Sequence, residues 1–437
     1  MLFSVSLEEV EANGLLDSLA GKQLIWIAIS FFGFGLVQVV DWKFWQTFAY
    51  PIYAICIVLL VGVLLFGITI KGATSWYSIG GFTIQPSEFA KFGTALAVAA
   101  YLSTYKTDLR KAPHLLTVLG IFMLPALLIL LQPDAGSAIV FLSFFLALYR
   151  EGLNAQYYLG GAFILVMLIL GLKFPPFFIF SGLALVGIFV LVHDRRPRLY
   201  WLGAVLLVTV GVIYALQEQE IPTVWWILGC AYAVLMILAL LQKSKSLIVP
   251  VTIALLVGSG LAFAANYAFH NILQPHQQDR INVWLAPSEA DPQGSYYNIK
   301  QSKLAISSGG WFGQGYLEGN MTHLDYVPEQ STDFIFCTIG EEQGFAGAAS
   351  LVILFLLLLF RLVKLAERQR SHFSQVYAYG LIGILFFHFF INIGMTMGLV
   401  PVIGIPLPFI SKGGSALLGF TLMISALLSM DSHRFQL

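Results

Sequence analysis

Asn392-Ile-Gly-Met-Thr-Met-Gly398-Leu-Val-Pro401-Val-Ile-Gly404-Ile-Pro406-Leu-Pro408-Phe-Ile-Ser411-Lys412-Gly413-Gly414-Ser415 sits between two apolar runs, near 378–400 and 411–430. Each run is long enough to cross a bilayer, which takes about 20 apolar residues. The stretch that joins them cannot be one straight helix, because three prolines remove amide donors and the glycines loosen what remains. Irregular backbone at membrane depth persists only where it is buried in protein or lines a wet cavity. The stretch therefore decides two things: the chain is a helical membrane protein, and its interior holds something polar.

The whole composition agrees. Of 437 residues, 58% are hydrophobic, 14% aromatic and 11% charged, against roughly 25% charged in soluble domains. Mean hydropathy is +0.82. This excludes a soluble enzyme, a disordered chain and a nucleic-acid binder, and the apolar runs are too continuous for an outer-membrane barrel. The formal net charge is zero, which gives no electrostatic case for a polyanionic partner. Cys56, Cys230 and Cys337 are too dispersed for a disulfide or metal framework.

Working outward, the hydropathy pattern predicts an all-α polytopic protein with about thirteen spans. They lie near 24–40, 47–70, 87–104, 113–131, 136–150, 155–172, 177–193, 200–216, 225–241, 248–270, 344–362, 378–400 and 411–430. One alternating set of loops and span ends carries fifteen of the 23 basic residues, including Lys106, Arg110, Lys111, Arg195, Arg196, Arg198, Lys243 and Arg368. The positive-inside rule makes that side cytoplasmic. The C-terminus is then inside and, with an odd span count, the N-terminus outside. The expected organisation is one integral membrane domain, 1–437, with a large external loop at 271–340. That loop is too aromatic for a solvated linker (Trp284, Tyr296, Tyr297, Trp311, Phe312 and Tyr316 among others) and is expected to fold as a cap.

Polar residues at membrane depth mark function by default. Pro86 suits a first helical turn, so Glu88 falls near a helix N-terminus and Lys91 shares its face. The pair is either a structural ion pair or, with Gln85, one wall of an outward site. Asp134, in the turn Gln132-Pro-Asp-Ala-Gly136, is either a helix cap or a site residue. Lys412 is either an anion contact or a snorkelling lysine. In the loop, Arg280 and Asp291 flank Trp284. Asp291-Pro292 alone reads as a turn. Pro328-Glu329-Gln-Ser-Thr332-Asp333 leads into Gly340-Glu341-Glu342, with Arg280, Lys300 and Lys303 as the external cations. No Walker motif, dinucleotide fingerprint, zinc ligand set or nucleophile elbow occurs.

Taken in order, Trp76 to Lys91, Gln132 to Gly136, Arg280 through Asp291-Pro292 to Tyr297, Gly309 to Gly315, Pro328 to Phe336 and Asn392 to Ser415 resemble the shape, elongation, division and sporulation (SEDS) family of bacterial cell-wall polymerases, which includes RodA, FtsW and SpoVE. Tyr316-Leu-Glu-Gly319 and Val327-Pro-Glu-Gln330 look closer to the RodA branch. The resemblance implies a peptidoglycan glycosyltransferase that polymerises lipid II at the outer face of the cytoplasmic membrane, during elongation, beside a class B penicillin-binding protein and other elongation-complex proteins. It makes Asp291 the essential aspartate, acting as general base. The site residues expected around it are Gln85, Glu88, Lys91, Asp134, Arg280, Lys303, Glu329, Thr332, Asp333 and Lys412. Arg280, Lys91, Lys303 and Lys412 are the candidate phosphate contacts. A divalent cation is a possible helper, with Glu88, Glu329, Asp333 or Glu342 as ligands.

The sequence also departs from the family. Lys412 stands where an aromatic residue is usual, Gln314 replaces a Lys, Ser331 a His, and Thr83 an Arg. Residues 155–270 hold five expected spans where the family has one, so 155–247 reads as inserted transmembrane hairpins. The run from Lys22 resembles the family's second span, so a first span is expected upstream. The rival functions are a lipid II flippase and a non-catalytic scaffold of the elongation complex.

Overall fold

The computed structural model describes residues 2–6, 14, 18–70, 72–79, 82–104, 107–176, 178–180, 182–183, 186, 245–273, 275–287, 295–324 and 326–435. They form a mostly helical, multi-pass membrane protein in two compact units, residues 1–154 with 290–437, and residues 155–289.

Among the described residues, eight helices are long and apolar enough to cross a membrane: Leu19–Val39, Ala49–Phe66, Ala112–Leu130, Ala155–Lys173, Val249–Asn271, Ile335–Glu367, His372–Thr396 and Gly414–Ser432. Two more expected spans are helical but shorter or interrupted. Pro86–Leu102 has 17 residues, and 135–150 contains a 3-10 turn at Val140–Ser143. The expected spans at 200–216 and 225–241, and most of 177–193, lie outside the described residues. Thirteen thus remains the expectation for the full chain.

The first unit is layered around Pro86–Leu102, His372–Thr396 and Gly414–Ser432. Small residues let these helices approach closely, the usual device where lipid supplies no hydrophobic drive between helices. A Cβ on Gly93 would come 2.9 Å from Cys56 Sγ, and one on Gly380 3.2 Å from a Phe144 ring carbon. The outer helices, 19–39, 49–66 and 112–130, leave most of their residues at least partly exposed, as lipid-facing helices do. In the second unit, Ala155–Lys173 packs on Lys245–Asn271, with Met167, Ile179 and Ala262 between them.

Two boundaries differ from the hydropathy reading. The second span ends at Phe66, and the chain then forms a small antiparallel sheet of β1 (Ile68–Ile70), β2 (Ala73–Ile79) and β3 (Phe82–Ile84), in that order. The Tyr77 hydroxyl donates to the Leu59 carbonyl and fixes the sheet on the 49–66 helix. The helix after the large loop begins at Ile335, nine residues before the expected Gly344, and breaks at Gly344 with φ 63° and ψ −161°. Among its described residues the loop carries three helices, Pro275–Leu285, Ser295–Ser308 and Asn320–His323.

Candidate active site

The run Met397–Gly413 is irregular, as its prolines and glycines require. It leaves the 372–396 helix, turns at Gly398 (φ 73°) and Gly404 (φ 75°), and re-enters a helix at Gly414. Four groups of sequence-predicted residues converge on it.

The first group is Gln85 with Asp134. Asp134 caps the short 135–139 helix by accepting from the Ser137 amide at 3.0 Å, and its other oxygen accepts from Gln85 Nε2 at 2.8 Å. The cap reading of Asp134 holds, and its second oxygen ties it to Gln85. Gly136 presses on the irregular run, since a Cβ there would lie 2.7 Å from the Ile403 carbonyl oxygen and 3.1 Å from that of Gly404.

The second group is 329–333. The Glu329 carbonyl accepts from the amides of Thr332, Asp333 and Phe334, and the Thr332 hydroxyl lies 3.2 Å from the Glu329 carboxylate. Glu329 and Phe409 both hold left-handed φ, 60° and 64°, which non-glycine residues seldom adopt and which tends to collect at functional sites. The Ser411 hydroxyl donates to the Thr332 carbonyl at 2.5 Å, and the Lys412 amide to the Ser331 carbonyl at 2.8 Å. An Asp333 carboxylate oxygen lies 3.2 Å from where a Gly404 Cβ would be. Lys412 is half-buried at this junction.

The third is Lys303, exposed on the 295–308 helix, with its ammonium 2.7 Å from where a Gly398 Cβ would stand. Ser302 ties that helix down by donating to the Thr396 carbonyl at 2.6 Å.

The fourth is Glu88 with Lys91. Pro86 occupies the first turn of its helix, as expected. The Lys91 ammonium sits 2.9 and 2.8 Å from the two Glu88 oxygens and 2.8 Å from His388 Nε2, over the Phe420 ring. Both side chains are buried inside the protein, Lys91 at 0% exposure, and neither faces lipid. The Lys91 ammonium is thus held by internal partners, whereas Lys303 is exposed and Lys412 half-buried.

Asp291 lies in 288–294, outside the described residues, and Arg280 is on Pro275–Leu285 in the other unit with its side chain outside them as well. Two of the acids that offered a cation site are already engaged. Glu88 pairs with Lys91, and Glu342 accepts from the Ser4 hydroxyl. Among the described residues no three His, Cys, Asp or Glu side chains form a metal-binding group. Glu88, Glu329, Asp333 and Glu342 belong to no such group.

With this geometry in view, the chain matches the FtsW/RodA/SpoVE family of cell cycle proteins over residues 1–181 and 189–436. The chain belongs to this family. It is 32% identical over 417 residues to the peptidoglycan glycosyltransferase RodA of Treponema pallidum (strain Nichols), covering 95% of this chain and 90% of that protein. It is 31% identical over 392 residues to the peptidoglycan glycosyltransferase MrdB of Escherichia coli (strain K12), covering 90% and 80%. In fold it resembles a chain from a peptidoglycan synthase complex that coordinates polymerization and crosslinking (TM-score 0.62, 24% identity, 96% of this chain and 90% of that one). It also resembles the crystal structure of Thermus thermophilus RodA (TM-score 0.55, 22% identity, 96% and 89%).

Three residues that tie these segments together carry no local signal in the sequence. His388 was one polar residue in an apolar span, and its partners are nearly 300 residues away in sequence or lie beyond the helix end. Asn392 was only the start of a motif, yet its amide donates to the Asp333 carbonyl at 2.9 Å and the Ile405 carbonyl at 2.7 Å. Glu341 was merely an expensive acid. It accepts from the Met321 amide (2.7 Å), the Thr322 amide (3.0 Å) and the Thr322 hydroxyl (2.6 Å), so it holds the loop in place.

Proposed function

We propose that this chain is a peptidoglycan glycosyltransferase of the elongation type, polymerising lipid II into β-1,4 glycan strands with Asp291 as general base. The observation that carries this reading is its 32% identity to a peptidoglycan glycosyltransferase, RodA, along 95% of the chain. The motif order around Asp291-Pro292 and Asn392 to Ser415 supports the assignment of the base.

The reaction asks little covalent chemistry of the protein. A sugar 4-hydroxyl attacks the anomeric carbon of a lipid-linked sugar, its oxygen bonds to that carbon, and the bond from carbon to the diphosphate oxygen breaks. The hydroxyl proton passes to the Asp291 carboxylate, and the polyprenyl diphosphate leaves with the electron pair. One displacement inverts an α-linked donor to a β-linked product, so a single carboxylate suffices. The leaving diphosphate gains from fixed positive charge. Lys303 and Lys412 border the irregular run, and Arg280 is the third candidate. Glu88 and Lys91 act from inside, as a buried pair behind that run. The excess of basic residues in one set of loops supports a site facing out of the cytoplasmic membrane. A class B penicillin-binding protein is the proposed partner, supported by the resemblance to a chain of a synthase complex in which polymerization and crosslinking are coordinated.

The test is purified protein with its transpeptidase partner and labelled lipid II. Glycan chains are expected, and Asp291→Ala should lower their rate by about 10²–10⁴-fold, the usual worth of a general base. Near-normal polymerisation by that variant refutes the assignment of the base. Translocation without polymer supports a flippase instead.

A further inference from the structure

Backbone carbonyls in the irregular run need donors, because a membrane interior offers no water. Pro406 and Pro408 contribute carbonyls but no amides, so the run cannot satisfy itself. Two side chains of the 372–396 helix, His388 and Asn392, sit four residues apart on one face. Asn392 holds the Ile405 carbonyl at 2.7 Å, and His388 Nδ1 lies 3.1 Å from the Pro406 carbonyl. Adjacent carbonyls are thus held by adjacent positions on one helix.

His388 has a second contact, which fixes its chemistry. Its Nε2 lies 2.8 Å from the Lys91 ammonium, which can only donate. Nε2 must therefore be the accepting nitrogen. The proton then sits on Nδ1, where the Pro406 carbonyl needs a donor. The other tautomer would set two donors against each other at one end and two acceptors at the other. The ring is buried and meets Phe420 edge-on, 4.9 Å between ring centres.

We infer that His388 is a positioning residue: as the neutral Nδ1–H tautomer it bridges the buried Glu88–Lys91 pair to the Pro406 carbonyl and so fixes the 397–413 run that carries Gly404 beside Asp333 and Lys412 beside Ser331. Its effect on catalysis rests on the glycosyltransferase reading, whereas its effect on the run does not.

The experiment therefore has two readouts. The first is the labelling rate of Val402→Cys by a maleimide in purified protein carrying Cys230→Ser. Val402 is half-buried against Val327 and Phe334, and Cys56 and Cys337 are buried. The second is lipid II polymerisation, with thermal melting as a check on folding. His388→Leu should raise Val402→Cys labelling and lower kcat by about 10²-fold, the cost of misplacing reacting groups by an ångström, with KM little changed. His388→Gln, whose amide can both accept and donate, should restore both. His388→Asn, too short to span both partners, should not. If His388→Leu labels and polymerises like the parent, or if Gln and Asn behave alike, the inference is overturned. Should the leucine variant fail to fold, the comparison of Gln with Asn still decides. An inactive parent enzyme sinks the glycosyltransferase reading, and labelling still tests the bridge.

Discussion

Gly344→Ala is expected to release the 309–315 loop while sparing the bundle. At Gly344 the 335–367 helix takes φ 63° and ψ −161°, a region that is essentially glycine-only. The break leaves the carbonyls of Glu341 and Glu342 and the amides of Phe345 and Ala346 without helical partners. The loop supplies all four: Gln314 and Gly315 amides donate to Glu341 and Glu342, and Phe345 and Ala346 amides donate to Gly310 and Trp311. A Cβ on residue 344 would lie 2.4 Å from the Gly313 nitrogen, which is backbone and cannot yield. The variant therefore straightens the helix, regaining two internal hydrogen bonds and losing four to the loop. The net loss of two costs about 1–3 kcal/mol. Losing the Trp311–Phe345 edge contact, 5.2 Å between ring centres, adds about 0.5–1.5 kcal/mol. A total of about 2–4 kcal/mol is a roughly 30- to 1,000-fold shift toward the undocked loop, since 1.4 kcal/mol is tenfold. Amide hydrogen exchange at Gln314 and Gly315 should accelerate by that order, with exchange in the 372–396 helix unchanged. Parent-like protection at Gln314 and Gly315 would refute the reasoning.

Three further outcomes follow from the same contacts. Glu341→Ala strands the Met321 and Thr322 donors and should lower the melting temperature and speed proteolysis of 309–334, whereas Glu341→Gln, which keeps an acceptor for Thr322, should lose about half as much; equal losses would contradict the hydrogen-bond account. Asp134→Ala should cost about 1 kcal/mol, typical of a lost helix cap, and Asp134→Asn much less in a melting assay. If Asp134→Asn melts like the parent yet polymerises poorly, the carboxylate serves the site and not only the cap. Gly398→Ala meets both a positive φ of 73° and the Lys303 ammonium 2.7 Å away, and lipid II titrations should show a higher KM if Lys303 greets the diphosphate.

Much of the fold was legible because lipid makes hydropathy decisive. The spans at 24–40, 113–131, 378–400 and 411–430 reappear as helices shifted by a few residues. The failures have separate local causes. Glu341 and Glu342 pushed the expected helix start to Gly344, although donors from Met321, Thr322 and Ser4 make them affordable from within a helix that begins at Ile335. The β1–β3 sheet was absorbed into a span end and a loop because a stretch such as Ala-Thr-Ser-Trp-Tyr-Ser-Ile shows no clean period. The Glu88–Lys91 pair followed from helical spacing, but its third partner did not, because nothing local ties residue 91 to residue 388.

The irregular run is what ties these segments to one another. A straight helix through 397–413 would bury its own carbonyls and ask nothing of its neighbours. Proline at 406 and 408 makes that impossible, so the run must take donors from elsewhere, and each donor binds it to another segment. Asn392 and His388 come from the preceding helix, with Lys91 behind His388, while Ser411 and Lys412 reach into 331–332. Gly136 and Gly404 permit the close passage that brings Asp134 on one side and Asp333 on the other. Residues as far apart in sequence as Lys91, Ser331, Thr332, His388, Asn392, Ser411 and Lys412 are therefore tied together because the broken span needs hydrogen bonds.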